Sequence, residues 1–360
     1  MKHIQEYRDS RLSRRMIEQI DGISQRRIRL MEVCGTHTVS IFRNGIRTVL
    51  PDTLSLLSGP GCPVCVTDQP EIDTAIALAG QKDCIVATFG DLIRVPGTRS
   101  SLQREQTAGR DILIVYSTFD AVSIARENPG KAVVFLGIGF ETTAPTIAAS
   151  ILAAEKAGIS NYYVYAAHKL MPPALDALVG QASIGIDGFL LPGHVSVIIG
   201  TQAYAPFFDK YRIPCAVAGF EPVDVLQAIH ELTGMIESGN PRLVNCYPRA
   251  VTESGNREAR DVMYRVFEPC DASWRGIGRI PDSGLKIREA FAAYDAARCF
   301  AVETPASAPP RGCACGEILT GKKTPPECPL YKTQCTPVHP VGPCMVSSEG
   351  TCAAFYKYYN

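Results

Sequence analysis

Net charge is the first thing the chain lacks: 36 Lys and Arg balance 36 Asp and Glu over 360 residues. A balanced surface offers no electrostatic footprint for nucleic acid or an anionic membrane, so neither is expected as a partner. There is no uninterrupted apolar stretch of about eighteen residues, the length a helix needs to cross a bilayer, so no transmembrane helix is expected. The opening Met-Lys-His-Ile-Gln-Glu-Tyr-Arg-Asp-Ser is polar and has no apolar h-region, which argues against a secretory signal. A cytoplasmic setting with reduced thiols is therefore expected. No internal repeat of fixed period is found. The length favours two or three domains over one.

Against these absences stand 14 cysteines, a number that points to metal or redox chemistry in a cytoplasmic protein. Four of them form Cys328-x6-Cys335-x8-Cys344-x7-Cys352, and Cys313 and Cys315 lie just upstream in Arg-Gly-Cys-Ala-Cys-Gly. A short, turn-rich segment has little apolar material to hold itself, and a centre bonded to thiolates would supply the missing stability. The segment lacks the two close C-x2-4-C pairs of a structural zinc site. Its wider gaps suit separate loops reaching one larger object, and a [4Fe–4S] cube takes four thiolates. Pro329, Pro337, Pro340 and Pro343 stiffen those loops and keep them out of helix. Zinc remains the alternative. A disulfide-bonded tail would need an oxidising compartment, which nothing indicates.

From residue 27 onwards, short apolar β-rich runs alternate with helical stretches. The runs 28–33, 54–57, 84–89, 112–116, 132–136, 162–166, 188–191 and 213–218 read as buried parallel strands. Helices are expected over 142–157, 172–182, 195–209 and 222–238, and residues 240–300 read as mixed and partly helical, over 283–297. In the first, Thr142 or Thr143 serves as N-cap, Pro145 sits in the first turn and Gly158 closes the C-terminus. The fold class is α/β: two Rossmann-like parallel-sheet lobes with a cleft, plus a small cysteine-rich iron–sulfur domain. The expected divisions are 1–26, a helical lead-in packing on the C-terminal domain; 27–140, lobe I; 141–240, lobe II; and 241–360, a mixed helical and cluster domain. Residues 304–312 read as a linker into the tail.

Ligands of open parallel sheets bind beyond the carboxyl ends of the strands. Cys34-Gly-Thr-His37-Thr, Gly59-Pro-Gly-Cys62-Pro-Val-Cys65, Gly137-Ile-Gly-Phe-Glu141-Thr, Ala167-His168-Lys and Pro192-Gly-His194-Val-Ser each follow a predicted strand. They should therefore converge on one or two rims. Cys62 and Cys65 form a C-x-x-C, able to bind metal or to cycle between dithiol and disulfide. With Cys34 they make a soft three-sulfur set suited to Fe(II), Cu(I) or Zn. His37 is either a further ligand or a hydrogen-bonding partner that tunes a thiolate. The Gly137-Ile-Gly run lacks the third glycine of a dinucleotide fingerprint, since Thr142 stands there. Its Glu141 instead places a carboxylate near a helix N-terminus, a place for polar ligands. His168 and His194 are each read as either structural or functional. Cys84, Cys215, Cys246, Cys270 and Cys299 read as ordinary buried thiols.

These motifs, in this order and together with the four-cysteine tail, resemble the HypD family of [NiFe]-hydrogenase maturation proteins, from about residue 27 to the C-terminus. The resemblance implies a scaffold on which the Fe(CN)2CO unit of the hydrogenase site is assembled. It implies work with a HypC-like small chaperone and cyanide delivery from a HypE-like donor carrying a thiocyanate. Carried onto this chain, Cys34 is the iron-binding cysteine and Cys62 and Cys65 are the C-x-x-C pair. Cys328, Cys335, Cys344 and Cys352 are the [4Fe–4S] ligands. The cluster would feed electrons to Cys62 and Cys65, while Glu141, His194 and His37 position or protonate the incoming group. Cys313 and Cys315 are candidate relay thiols. The rival readings are a free-standing iron–sulfur thiol/disulfide oxidoreductase, which leaves Cys34-Gly-Thr-His-Thr unexplained, and a zinc-stabilised binding protein.

Overall fold

Eleven strands set the frame of the computed structural model, which describes residues 6–180 and 185–359. In chain order they are β1 (Ile28–Glu32), β2 (Leu54–Ser58), β3 (Cys84–Thr88), β4 (Ile112–Ile114), β5 (Ala132–Gly137), β6 (Tyr162–Ala166), β7 (Gly188–Pro192), β8 (Cys215–Ala218), β9 (Leu243–Asn245), β10 (Phe267–Trp274) and β11 (Gly278–Ile287). All eight runs expected from the sequence contain strands. They pair in parallel in two sheets, of order β2-β1-β7-β8-β9 and β4-β3-β5-β6. The central strands read as continuous apolar runs because helices cover both faces; every residue of β3, β7 and β8 is buried.

The sheets do not divide the chain where the sequence suggested. β1 and β2 join β7, β8 and β9, while β3 to β6 form a sheet inserted between them. Leu30, Met31 and Glu32 of β1 lie in register with Gly188, Phe189 and Leu190 of β7. The expected grouping of strands before and after residue 140 is thus corrected. The lead-in is corrected too. The helix Ser10–Ile23 packs on the helix Pro222–Ser238, which belongs to the five-stranded lobe and not to the C-terminal domain. Buried Ile20 anchors it, and the Arg8 guanidinium pairs with Glu221 at 2.5 Å.

The helix Ala144–Lys156 has Thr143 as its N-cap residue and Pro145 in its first turn. Gly158, just past its end, takes φ +66°, the left-handed conformation that closes a helix. The expected helix over 195–209 is broken at Gly200, where φ is +79° and the pieces Gly193–Ile199 and Ala205–Tyr211 change direction. The stretch expected over 172–182 is helical as Met171–Val179, and residues 181–182 lie outside the described residues. Residues 283–297 are not one helix: β11 pairs antiparallel with β10, and a 3-10 turn over Glu289–Tyr294 follows. The linker over 304–312 has no regular structure, and the cysteine-rich tail beyond it holds only short helices.

Candidate functional site

Cys34 follows β1 and is the N-cap residue of the helix Gly35–Arg43. Burial pushes its thiol up to about 12, against the opposing pull of the His37 and Thr36 backbone N–H groups at the helix start. The loop after β2 presses directly on it. Gly35 N–H donates to the Gly61 carbonyl at 3.0 Å, and a methyl group on Gly61 would run into the backbone nitrogen and Cα of Cys34. Only glycine permits that approach. Cys62 then caps the helix Pro63–Val66, its sulfur accepting from Cys65 N–H at 3.3 Å.

Cys34 lines a cavity of about 210 Å³. Its walls come from the ends of strands in both sheets: Gly61 and Pro63 after β2, Thr142 and Thr143 after β5, Met171 after β6, His194 after β7. The expected convergence of strand-end motifs is thus present at one cleft. One group, Glu349, was not expected there. Thr36 and Glu349 complete the wall, and Thr36 Oγ1 donates to Glu349 Oε1 at 2.6 Å. Glu349 belongs to the tail, between Cys344 and Cys352. Its sequence context, Ser-Ser-Glu-Gly, resembles any polar turn, so no local signal singles it out.

The histidines divide by environment. His37 Nε2 faces the carbonyls of Gly219 at 2.9 Å and Ala218 at 3.2 Å. Carbonyls only accept, so Nε2 carries the proton and buried Nδ1 keeps a bare lone pair with no partner. Burial lowers the imidazole to about 4, so it is neutral near pH 7. His194 stacks on Phe220 at 4.0 Å between ring centres, and His37 meets the other neighbourhood of that ring at 4.8 Å. His194 is half-buried, which lowers its pKa, and it faces the cavity. His168 is buried against Phe267, away from the cavity, and burial lowers it to about 3. Glu141 lies behind the wall. Its Oε1 accepts from Met171 N–H at 2.8 Å, its Oε2 has no partner, and burial raises it to about 7.

Neither Cys62 nor Cys65 lines Cys34's cavity, and Cys65 reaches towards the tail. Cys65 approaches the Pro343 carbonyl at 4.0 Å and makes side-chain contact with both Cys62 and Cys344. Cys344 Sγ in turn stands 2.8 Å from Cys315 Sγ, too long for a disulfide, whose bond is about 2.05 Å. Cys315 contacts Cys313, and Cys344 contacts Cys352. A run of thiols therefore joins the C-x-x-C to the tail. All six tail cysteines, with Tyr331, Ile318 and Met345, line one small chamber. Among the described residues, no three His, Cys, Asp or Glu side chains are grouped to hold a single metal ion. Nor does any helix among them have the length and apolarity to cross a membrane.

Comparison with known proteins shows the family. The family described as "Hydrogenase formation hypA family", HypD, matches residues 11–359. The hydrogenase maturation factor HypD of Azotobacter vinelandii is 43% identical over 99% of this chain and 97% of its own. The HypD of Rhizobium leguminosarum bv. viciae is 44% identical over 99% and 96%. A putative hydrogenase expression/formation protein of Methanocaldococcus jannaschii is 42% identical over 97% and 98%. On a match of that extent, the chain belongs to the HypD family of hydrogenase maturation factors.

Proposed function

We propose that this chain is the scaffold on which the Fe(CN)2CO unit of a [NiFe]-hydrogenase is assembled, working in the cytoplasm with a HypC-like chaperone and a HypE-like cyanide donor. The observation that supports it most is the pairing of a Cys34 cavity built from strand ends of both sheets with an unbroken run of thiols leading from its neighbour loop into the tail. Cys34 offers the cargo iron one soft, electron-rich ligand and leaves the other positions open for cyanide and CO.

Cyanide leaves a thiocyanate, R–S–C≡N, only if the donor sulfur is reduced. The Cys62 thiolate attacks that sulfur, the S–CN bond breaks, and cyanide departs to the iron with the bonding pair. Cys65 then displaces the donor as a thiolate, and Cys62–Cys65 is left as the disulfide, two electrons poorer. One thiol proton ends on the donor thiol. The other leaves with the cyanide and is released when the iron binds it. Glu141 and His37 hold the walls, through Met171 and the 218–219 backbone respectively.

The tail chamber offers a soft donor set, six sulfurs with almost no other polar group, which fits a [4Fe–4S] cube. Cys328, Cys335, Cys344 and Cys352 would hold it, and it would supply one-electron reducing power. One observation favours a second assignment. Thiolates on different corners of a cube diverge, yet Cys344 contacts Cys352, and it also lies 2.8 Å from Cys315 and reaches towards Cys65. On that geometry Cys313, Cys328, Cys335 and Cys352 hold the cube, and Cys315 with Cys344 forms a dithiol beside it.

The test is iron analysis and infrared spectroscopy on protein purified anaerobically with its small partner. Cyanide and CO bands are expected in the wild type. Cys34→Ala should lose iron and bands together, and Cys62→Ala should keep iron but lose the cyanide bands. Full-strength cyanide bands in Cys62→Ala would exclude the thiol-exchange step.

A further inference from the structure

Beside the Cys34 cavity lies a second, larger groove of about 810 Å³, bordered by Asp91, Arg94, Pro337, Met345 and Lys357. Two residues line both spaces: Thr36 and Glu349. They are also the pair joined by the 2.6 Å hydrogen bond. The partition between groove and cavity is therefore one side-chain contact, with one half on the first lobe's helix and the other on the tail. Its backing is tight. A Cβ on Gly35 would come within 2.6 Å of the Glu349 Cβ and 3.0 Å of its carbonyl oxygen, so the tail backbone sits flush on the helix start that carries Cys34. The helix Thr351–Tyr358 packs on Gly35–Arg43, with Phe355 and Tyr359 against Phe42, and so brings the half-buried carboxylate there. Burial raises the pKa of Glu349, a cost that a mere surface turn would avoid.

We infer that Thr36 and Glu349 form a door between the outer groove and the Cys34 cavity, through which a small ligand carried by a partner reaches Cys34. The inference rests on the proposed assembly role for the nature of that ligand, the small neutral cyano group carried as a thiocyanate on a donor thiol. It does not rest on it for the door itself. Opening breaks the Thr36–Glu349 side-chain hydrogen bond and turns the Glu349 side chain out, while the tail backbone stays packed on Gly35. Glu349 is thus a positioning residue: it governs access to Cys34 without itself bonding the cargo.

The test reads access directly, with no need for iron or hydrogenase. Full-length protein is treated under reducing conditions with iodoacetamide and, separately, with a bulky maleimide, and labelling of Cys34 is followed by peptide mass spectrometry. Cys84, buried in β3, is the internal control for general loosening. Losing a hydrogen bond to a charged group shifts the open population about tenfold, so Glu349→Ala should speed maleimide labelling of Cys34 about tenfold. The gain with iodoacetamide should be smaller, because a small reagent needs less room. Thr36→Ala should give a partial gain, and Glu349→Gln, which keeps the shape and an acceptor oxygen, should stay close to wild type. Unchanged Cys34 labelling in Glu349→Ala and Thr36→Ala, or a gain that Cys84 shares, overturns the door. Failure of the assembly role would show separately, as absent infrared bands with this labelling pattern intact.

Discussion

The Cys34 cavity and the tail chamber both gather cysteines, but they are built by opposite means. Around Cys34 the scaffold comes first: parallel strands end, glycine-bearing turns follow, and each functional group inherits its place from a hydrogen-bonded sheet. In the tail there is no strand at all, only short helices such as Pro343–Val346 and turns stiffened by proline. There the sulfurs themselves are what the loops have in common. One region positions its chemistry with a fold, and on the proposed cluster the other needs its chemistry in order to be a fold. The first should tolerate loss of its cysteine, and the second should not.

The largest expected effect tests that contrast. Cys328→Ala or Cys352→Ala should abolish the brown absorption at about 400 nm and unfold the tail, seen as a lowered thermal midpoint and protease-sensitive residues beyond 312. Cys34→Ala should leave colour and midpoint nearly unchanged. Equal loss of stability in both would break the comparison. Cys344→Ala against Cys313→Ala sharpens it, since the variant that keeps its iron identifies the thiol outside the cube.

Next in size is Gly61→Ala. Its methyl group has no space against the Cys34 backbone, and overpacking of this kind costs about 1–3 kcal/mol or more. Chemical denaturation should show that loss while the tail's absorption persists. Third, Glu141 carries a pH signature for the cavity side. Burial raises its pKa from 4.5 to about 7 in the folded chain. The folded state therefore holds a proton that the unfolded state gives up between those values. This contribution is full below pH 4.5 and is lost as pH rises through 7, a decline on the order of 3 kcal/mol. Glu141→Gln should flatten that decline, raising stability at pH 8 relative to wild type while keeping an acceptor for Met171 N–H. A denaturant midpoint with the same pH slope in both would show that Glu141 is not buried as described. The smallest effect is Thr36→Ala, one hydrogen bond between the two regions, expected to cost about 1 kcal/mol.

What the sequence made legible follows the same line. The strands were readable because burial on both faces makes them uninterrupted apolar runs, and their ends were readable because small residues and polar groups follow them. Which strand pairs with which was not. Nothing local in Ile28–Glu32 says that it sits beside Gly188–Pro192 and not beside Cys84–Thr88. The hairpin of β10 and β11 escaped because the ribbon is half exposed and carries Pro269, Asp271, Pro281 and Asp282, all poor strand formers. At the site, Cys34, His194 and the glycine turns announced themselves through motif chemistry. Glu349 did not, since its role arises only when a distant tail folds back onto Gly35.

The interleaved order of the larger sheet has a consequence for synthesis. β1 is an interior strand, flanked by β2 and by β7. As the polypeptide leaves the ribosome, β1 and β2 emerge early but stay a two-stranded fragment with an unsatisfied edge until the whole inserted sheet and then β7 have been made. The nascent chain thus presents an open, apolar strand through a long middle stretch of its translation, and chaperone occupancy should peak there and fall once residues 188–192 clear the exit tunnel.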